Sequence, residues 1–433
     1  MKSLHITNSW HLASGGIGTF YRALMAAADD RQHYLRLVVP AAGTRVEDVT
    51  PYVRIYHLKA PPAPLNRSYR WLLPQKYLLP HSELRRILLE ERPDVIEICD
   101  KYTLQYLAGL VRRNWFFPDG HRPTLIGLSC ERMIDNFLVY LPRLPLAEAF
   151  CRLYMKWLYF PLFDHHITVS HFTAAELRDA SRGHLVPRGV WVRGMGVDIQ
   201  NFGPARRDPL LRRRLLMRAG GSARSHLLLY AGRLAPEKNL LLLLQMMERL
   251  ALSPDFDFRL AIVGDGMSRL ELEQIAASAC PGRVIFLGHV GDRDELASVY
   301  ASADAFVHPN PAEPFGIAPL EAMASGLPLV ACNCGGLLSY ASRENAWLAS
   351  PDARSFAAAA LAVAGSPVEA EARAVAGLET ARRYSWPTVA SDYLMLYREI
   401  HEWHSGARPA PRIGPDFLST AGNWLGREMR GSA

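Results

Sequence analysis

Short runs of aliphatic and β-branched residues recur along the chain, separated by longer stretches with the apolar spacing of helices. The first series of predicted strands covers residues 35–39, 95–99, 124–128 and 167–170. A second series covers residues 227–230, 259–263, 284–287, 305–307 and 328–331. Strands that alternate with helices predict βαβ units and parallel sheets. The pattern therefore predicts an α/β chain of two doubly wound, Rossmann-like domains, with ligands at the carboxyl ends of the strands and in the cleft if the two sheets face each other.

The change from one series to the next falls near Gly194, in a turn-rich segment that continues to Asp198. We predict a first domain over residues 1–195 and a second over residues 196–382. The last helix is predicted within residues 383–404. The remaining residues 405–433 are rich in Gly, Pro and Arg, and predict a flexible or loosely docked tail.

Composition supports a globular protein of two domains. The chain has 433 residues, of which 49% are hydrophobic and 21% are charged. No apolar run reaches the roughly 18 residues that span a bilayer, and the N-terminus enters a strand-like sequence without a signal-peptide pattern. Six cysteines are scattered without a CxxC pair, which favours reduced thiols over a metal site. These features predict a cytoplasmic protein without a bound metal.

The formal net charge of +7 raises the question of an anionic partner. No recognisable nucleic-acid module accompanies the basic clusters, so we expect no nucleic-acid partner. Residues 71–79 and 154–163 mix aromatic, aliphatic and basic side chains. Such mixtures suit peripheral binding to the inner face of an anionic membrane. They also suit ordinary core helices with snorkelling lysines, and both interpretations stay open.

Two glutamates frame the most informative motif, because Glu313 and Glu321 lie eight positions apart around a glycine. The pattern places Glu313 in a strand-to-helix loop and Glu321 in the first turn of the following helix. Gly316 leaves the backbone bare for a ligand, and Pro319 suits a helix start. A helix N-terminus can hold phosphate, while carboxylates can accept hydrogen bonds from sugar hydroxyls. The structural alternative is that the acidic residues only complement the dipole of the helix and bind no ligand.

A second motif runs from Gly232 to Lys238 between a predicted strand and a leucine-rich helix. Arg233 and Lys238 are expected in the loop above the sheet, where fixed cations would stabilise a departing pyrophosphate. The structural alternative is a surface ion pair with Glu237.

Other glycine-rich turns carry weaker signals. The turn at 14–19, which contains Gly16, is expected to open onto a helix N-terminus, or to be a simple tight turn. At 264–266 the glycines indicate a structural turn, with Asp265 as a possible cap of the next helix.

Together these motifs resemble the retaining glycosyltransferases of family 4, which have the two-domain GT-B fold. The E-x7-E element is Glu313 and Glu321, and the GR-x4-K element is Gly232, Arg233 and Lys238. The resemblance covers nearly the whole chain and is most specific over residues 230–336. It implies that a terminal helix beginning near Trp386 crosses back to the first domain.

The resemblance also implies residue roles. Arg233 and Lys238 would hold the donor diphosphate, Glu313 would contact the transferred sugar, and Glu321 would bind the ribose hydroxyls. Sugar and phosphate would bind to backbone groups of Phe315, Gly316 and Ile317. Gly16 would face the diphosphate from the first domain.

The sequence departs from the family where many members carry a histidine beside the sugar. The corresponding segment is 128–132, and it ends in Glu131 and Arg132, which we assign to the acceptor side.

The predicted function is metal-independent transfer of a sugar, with retention, from a UDP- or GDP-sugar to a saccharide or lipid-linked acceptor. The nucleotide sugar is a substrate, and no further cofactor is expected. Envelope polysaccharide or glycolipid synthesis is the predicted setting. Two alternatives are a sugar-nucleotide epimerase of similar fold and a catalytically decayed scaffold subunit.

Overall fold

A computed structural model describes residues 1–10, 15–63, 69–117, 119–140, 146–182 and 189–407. The strands are β1 Lys2–Thr7, β2 Tyr34–Ala41, β3 Arg45–Asp48, β4 Val53–Lys59, β5 Val95–Cys99, β6 Thr124–Ser129, β7 His165–Thr168, β8 Gly189–Val192, β9 His226–Ala231, β10 Phe258–Val263, β11 Val284–Gly288, β12 Ala305–His308, β13 Leu329–Cys332 and β14 Trp347–Ala349.

The α-helices are α1 Gly15–Asp30, α2 Gln75–Leu78, α3 Glu83–Glu91, α4 Gln105–Arg112, α5 Met133–Tyr140, α6 Ala147–Tyr154, α7 His171–Ser181, α8 Pro209–Arg218, α9 Leu241–Leu250, α10 Arg269–Ala279, α11 Arg293–Ala301, α12 Ile317–Ala324, α13 Ala353–Gly365, α14 Pro367–Arg383 and α15 Trp386–His404. Short 3₁₀ segments cover Phe160–Leu162, Pro204–Arg206, Pro236–Lys238 and Gly336–Ser339, and a π-helical turn covers Met155–Tyr159.

The chain forms two compact units. Of the described residues, unit 1 contains those within Met1–Arg132, Glu148–Arg193 and 391–407, and unit 2 contains those within Met133–Ala147 and Gly194–Ala390. The described residues 133–140 belong to unit 2, although they fall within the first domain predicted from sequence, 1–195. Helix α15 begins in unit 2 and continues in unit 1.

Unit 1 is built on an eight-stranded sheet of order β3-β4-β2-β1-β5-β6-β7-β8. All neighbours are parallel except β3, which pairs antiparallel with β4 at one edge. A buried carboxylate lies in the middle of this sheet: Glu97 on β5 accepts hydrogen bonds from the hydroxyls of Tyr21 and Tyr397. Because Tyr397 belongs to α15, this network fixes the last helix to the sheet of unit 1.

Unit 2 is built on a six-stranded, wholly parallel sheet of order β11-β10-β9-β12-β13-β14. The strand order reverses between β9 and β12, which makes their carboxyl ends the topological switch point where doubly wound sheets bind ligands. Helix α9 packs against α10 and α13, whereas α12 packs against α11 and α14. The core between the sheet and the first group is rich in leucine and methionine, with Leu243, Met246, Met247 and Leu260 fully buried.

The predicted strands and the last helix are present with shifted ends. The largest shift is at β7, which covers His165–Thr168 instead of 167–170. Helix α15 begins at Trp386, as expected, within the predicted range 383–404. Glu321 lies in the second turn of α12 and not in the first, because the helix already begins at Ile317, ahead of Pro319. Of the predicted tail, residues 408–433 lie outside the described residues. No helix among the described residues combines the length and apolar character needed to cross a membrane.

Candidate functional site

Two loops meet at the switch point of unit 2. One follows β9 and covers residues 232–239, and the other follows β12 and covers residues 309–316. Asn239 adopts a left-handed conformation (φ 54°), and its side-chain amide donates a hydrogen bond to the carbonyl oxygen of Pro309 at 3.2 Å. Adjacent strands therefore deliver both sequence motifs to one edge of the sheet.

Glycines allow the first loop to lie against its neighbour. A Cβ atom on Gly264 would fall 1.9 Å from the carbonyl oxygen of Gly232, and one on Gly266 would fall 2.3 Å from that of Leu234. The two segments are also joined by a backbone hydrogen bond from Leu234 to Asp265 at 3.0 Å. The turn at 264–266 thus shapes the site by close packing. Asp265 does not cap α10, since its carboxylate accepts from the Gly266 N–H instead.

The centre of the site is a carboxylate held by three donors. Oε2 of Glu313 accepts from Lys238 Nζ at 2.8 Å, from Asn310 Nδ2 at 2.8 Å and from His308 Nε2 at 3.1 Å. Glu313 is 8% exposed, and both His308 and Asn310 are 3% exposed. Burial by itself would raise the pKa of Glu313. The charge of Lys238 and the hydrogen bond from His308 outweigh burial and hold that pKa well below its usual range.

Arg233 lies at the open side of the same loop. Its guanidinium is 3.0 Å from the carboxylate of Glu237, and its side chain is 60% exposed. The surface ion pair considered as the structural alternative is therefore present. Pairs of this kind contribute little to stability in water, so Arg233 can exchange Glu237 for another anion at small cost.

The N-terminus of α12 completes the edge. Gly316 precedes the helix with φ 90° and ψ 79°, a conformation that favours glycine. Its neighbour Phe315 is buried with its ring packed against Tyr340 and Tyr384, so the backbone of this residue, not its ring, is available at the loop. Ile317 is the first helical residue, and the N–H groups of a first turn have no partner within the helix.

Glu321 lies on α12 with its carboxylate 3.2 Å from the hydroxyl of Tyr300. Burial raises the pKa of Glu321 to about 7; nearby Asp198 adds to this shift, while Arg293 and the Tyr300 hydrogen bond oppose it. The two glutamates of the motif thus have pKa values displaced in opposite directions. Divergent pKa values in neighbouring acids are typical of functional sites.

The remaining candidates belong to unit 1. Gly16 lies in the first turn of α1, and Glu131 and Arg132 follow the carboxyl end of β6. The backbone carbonyl of Glu131 accepts a hydrogen bond from the buried Lys101 at 2.5 Å, and Lys101 also pairs with Glu176 at 2.9 Å. The guanidinium of Arg132 lies 4.5 Å from the ring centroid of Phe172.

Sequence reasoning missed several residues of the site. His308 and Asn310 bind Glu313, and Tyr300 binds Glu321, yet none of them was singled out. The position of His308 at the carboxyl end of a predicted strand was the available signal. Tyr300 gave none, since it reaches the site from the far end of α11. Within the described residues, no group of three or more His, Cys, Asp or Glu side chains is arranged to hold a metal ion.

Comparison with known proteins identifies the family. Residues 14–192 match the family described as Glycosyltransferase Family 4, and residues 225–365 match Glycosyl transferases group 1. A GDP-mannose-dependent alpha-(1-6)-phosphatidylinositol dimannoside mannosyltransferase of Mycobacterium tuberculosis is 28% identical over 347 residues, which cover 80% of this chain and 83% of that protein. A GDP-mannose-dependent alpha-mannosyltransferase of the same species is 34% identical over 51% of this chain and 55% of its own length.

Solved structures agree on the fold. Sucrose-phosphate synthase from Thermosynechococcus elongatus superposes with a TM-score of 0.72 at 20% identity, covering 92% of this chain and 99% of that one. The strand orders, the loops of the switch point and the two family matches lead to one conclusion: the chain is a glycosyltransferase, with the GT-B fold, and belongs to glycosyltransferase family 4.

Proposed function

We propose that this glycosyltransferase moves a hexose from a nucleotide-diphosphate sugar to a lipid-linked saccharide, with retention at the anomeric carbon and without a metal ion. The observation that carries the proposal is the pairing of Lys238 with Glu313 at the switch point of unit 2, beside the open N-terminus of α12. This edge offers cations and free N–H groups for a diphosphate, and carboxylates for hydroxyl groups.

A GDP-sugar is the favoured donor. Several relatives carry GDP-mannose dependence in their names, including the mannosyltransferase that is 28% identical over 80% of this chain. In our proposal the diphosphate lies over the N–H groups of Gly316 and Ile317, and the ribose hydroxyls bind the carboxylate of Glu321. A UDP-sugar is the alternative that the donor assay would identify.

Charge stabilisation accounts for the chemistry. As the bond between sugar and diphosphate breaks, negative charge develops on the leaving oxygen. Lys238 and Arg233 would leave their present partners, Glu313 and Glu237, and pair with that charge. Preorganised charges of this type provide a large share of many enzymes' rate enhancement. They also supply the positive charge for which other transferases use a metal.

The weak nucleophilicity of Glu313 bears on how retention, which the family resemblance implies, would be achieved. A double displacement would need a carboxylate that attacks the anomeric carbon. Glu313 is a poor candidate, because three hydrogen bonds to one oxygen stabilise its charge and depress its pKa. We therefore infer attack by the acceptor on the face that the diphosphate leaves, with the departing phosphate as the base. Glu131 and Arg132 of unit 1 are proposed for the acceptor side.

A lipid acceptor also fits an exposed apolar surface on unit 1. Helix α6 and the π-helical turn after it turn one face to the core through Cys151, Met155 and Tyr159, which are at most 2% exposed. Another face carries large apolar side chains that are 49–60% exposed: Phe150, Leu153, Trp157 and Leu158. Aromatic and aliphatic side chains beside the basic Lys156 suit insertion into a membrane interface. We call the four residues Phe150, Leu153, Trp157 and Leu158 the apolar stripe.

The central test is a transfer assay with GDP-mannose and UDP-glucose as donors and a phosphatidylinositol mannoside in vesicles as acceptor. We expect GDP-mannose to be used and nuclear magnetic resonance to show an α-linked product. Lys238→Met should lower kcat by about 10²–10³-fold, whereas the exposed Arg224→Met serves as a control and should leave it unchanged.

Other results would point elsewhere. An inverted product would refute retention. Conversion of the nucleotide sugar without any acceptor would indicate the epimerase, and failure to bind any nucleotide would indicate the scaffold.

The membrane part of the proposal has its own test. The wild type should co-sediment with vesicles of phosphatidylglycerol. The double variant Leu153→Ala/Trp157→Ala should bind them at least about tenfold more weakly, because it has lost apolar area. Leu252→Ala is a matched control, because Leu252 is 84% exposed on unit 2. Equal binding of all three proteins would refute a role for the apolar stripe.

A further inference from the structure

The two oxygens of Glu313 are used unequally. Oε2 accepts all three hydrogen bonds, from Lys238, His308 and Asn310. Among the described residues, no hydrogen bond reaches Oε1. An ionised carboxylate has about four acceptor positions, two on each oxygen. Oε1 therefore keeps its capacity for a ligand, while Oε2 attaches the side chain to the protein.

The three donors come from different places. Lys238 belongs to the loop after β9 and carries its ammonium group on a flexible four-carbon stem. His308 and Asn310 belong to the end of β12 and to the loop that also carries Glu313. Both are almost fully buried, so neither can turn to solvent.

Two aromatic rings lie beside the ring of His308, with centroids 6.5 and 6.4 Å away. It lies nearly parallel to the rings of Tyr230 and Phe306, with interplanar angles of 13° and 14°. Since the oxygen of an ionised carboxylate can only accept, Nε2 must carry the proton in this contact. Nδ1 of the same ring is buried and has no hydrogen-bond partner among the described residues. Within the described parts of the chain, Glu313 is thus the one hydrogen-bond partner of this ring.

We propose that His308 and Asn310 are positioning residues, which hold Glu313 by Oε2 when Lys238 moves to the donor diphosphate. Oε1 then stays directed at a hydroxyl group of the transferred sugar. The inference rests on the proposed function and deepens it. Without the two buried donors, the departure of Lys238 would leave the carboxylate unattached at the moment when its orientation matters. In this arrangement Lys238 moves to the diphosphate, while His308 and Asn310 stay bound to Glu313.

Two variants at one position test the inference. His308→Gln can place its amide N–H near the position of Nε2, whereas the amide of His308→Asn is too short to reach it. Each is assayed with GDP-mannose, the proposed donor and hereafter the natural donor, and with analogues of it that each lack one sugar hydroxyl (the deoxy donors). Wild type should discriminate against the donor that lacks the hydroxyl bound by Oε1.

We expect His308→Asn to lower kcat for the natural donor by about 10–100-fold, the usual effect of losing a hydrogen bond to a charged group. His308→Asn should also lose most of the discrimination against the deoxy donor. The substitution and the missing hydroxyl disturb the same contact, that between Glu313 Oε1 and the sugar, so their effects are not additive. Nucleotide affinity should stay within about twofold, since the base, ribose and diphosphate contacts are elsewhere. His308→Gln should recover both kcat and discrimination.

Asn310→Ala provides a second variant if His308→Asn folds poorly, and it should lose discrimination in the same way. An equal loss of kcat for natural and deoxy donors in these variants would indicate a merely structural role and overturn the inference. Full discrimination in His308→Asn and Asn310→Ala would overturn it as well, while leaving the transferase function intact. A wild type that binds no nucleotide sugar would refute the proposed function, and the inference with it.

Discussion

Nucleotide binding should depend on pH through Glu321. Burial raises the pKa of this carboxyl to about 7, with Asp198 adding to the shift and Arg293 and Tyr300 opposing it. A pKa near 7 means that about 10% of the protein carries an ionised Glu321 at pH 6 and about 90% at pH 8. If only the ionised form binds both ribose hydroxyls, the apparent affinity scales with that fraction. Affinity should therefore rise about tenfold from pH 6 to pH 8.

Calorimetry with a nucleotide sugar is the suitable assay, because a diphosphate that is esterified at both ends has no terminal phosphate group to titrate in this range. Glu321→Gln should bind with an affinity that does not change with pH. A donor that lacks both ribose hydroxyls should likewise show no pH dependence with the wild type. Constant wild-type affinity between pH 6 and 8, or the same slope in Glu321→Gln, would refute the reasoning.

Two further predictions concern stability. Lys238 and His308 overcome burial and depress the pKa of Glu313 in the folded state, so its contribution to stability is present above the usual carboxyl range and lost as pH falls below it. Denaturant unfolding from pH 6 to pH 3 should show a smaller loss for Glu313→Gln than for wild type; an identical profile would contradict this. Gly264→Ala should lower the melting temperature or prevent folding, because its Cβ would lie 1.9 Å from the Gly232 carbonyl oxygen, at φ 132°. Gly291→Ala, whose Cβ meets nothing closer than 3.8 Å, should melt within about 2 °C of wild type, as surface changes usually do.

The sequence predicted the architecture because apolar periodicity is a local property. Strands such as β5 and β12 are short, buried and bounded by turns, so their positions were clear from neighbouring residues alone. Four strands were not predicted, namely β3, β4, β8 and β14. The reason is plain for the edge strand β3, since all four of its residues are exposed and it lacks an apolar pattern. The start of α12 was placed too late, because Pro319 can occupy the third helical position as well as the first.

The site was predictable only in part, for a different reason. The motif glutamates and the loop cations stand out by type and spacing. Their partners depend on tertiary contacts: Lys238 and Glu313 are 75 residues apart, and Tyr300 reaches Glu321 from another helix. The opposite pKa shifts of the two glutamates follow from these contacts and from burial, and no local pattern encodes them.

The central claim is that unit 2 binds a nucleotide-diphosphate sugar at the ends of β9 and β12. The most direct measurement is a thermal-unfolding series with GDP-mannose, GDP, UDP-glucose and UDP on wild type and Lys238→Met. A ligand at 100 times its dissociation constant stabilises the folded state by about 2.7 kcal/mol. We predict that the guanine nucleotides stabilise wild type by about this amount and Lys238→Met much less. Equal stabilisation of both proteins, or none by any of the four ligands, would contradict the account.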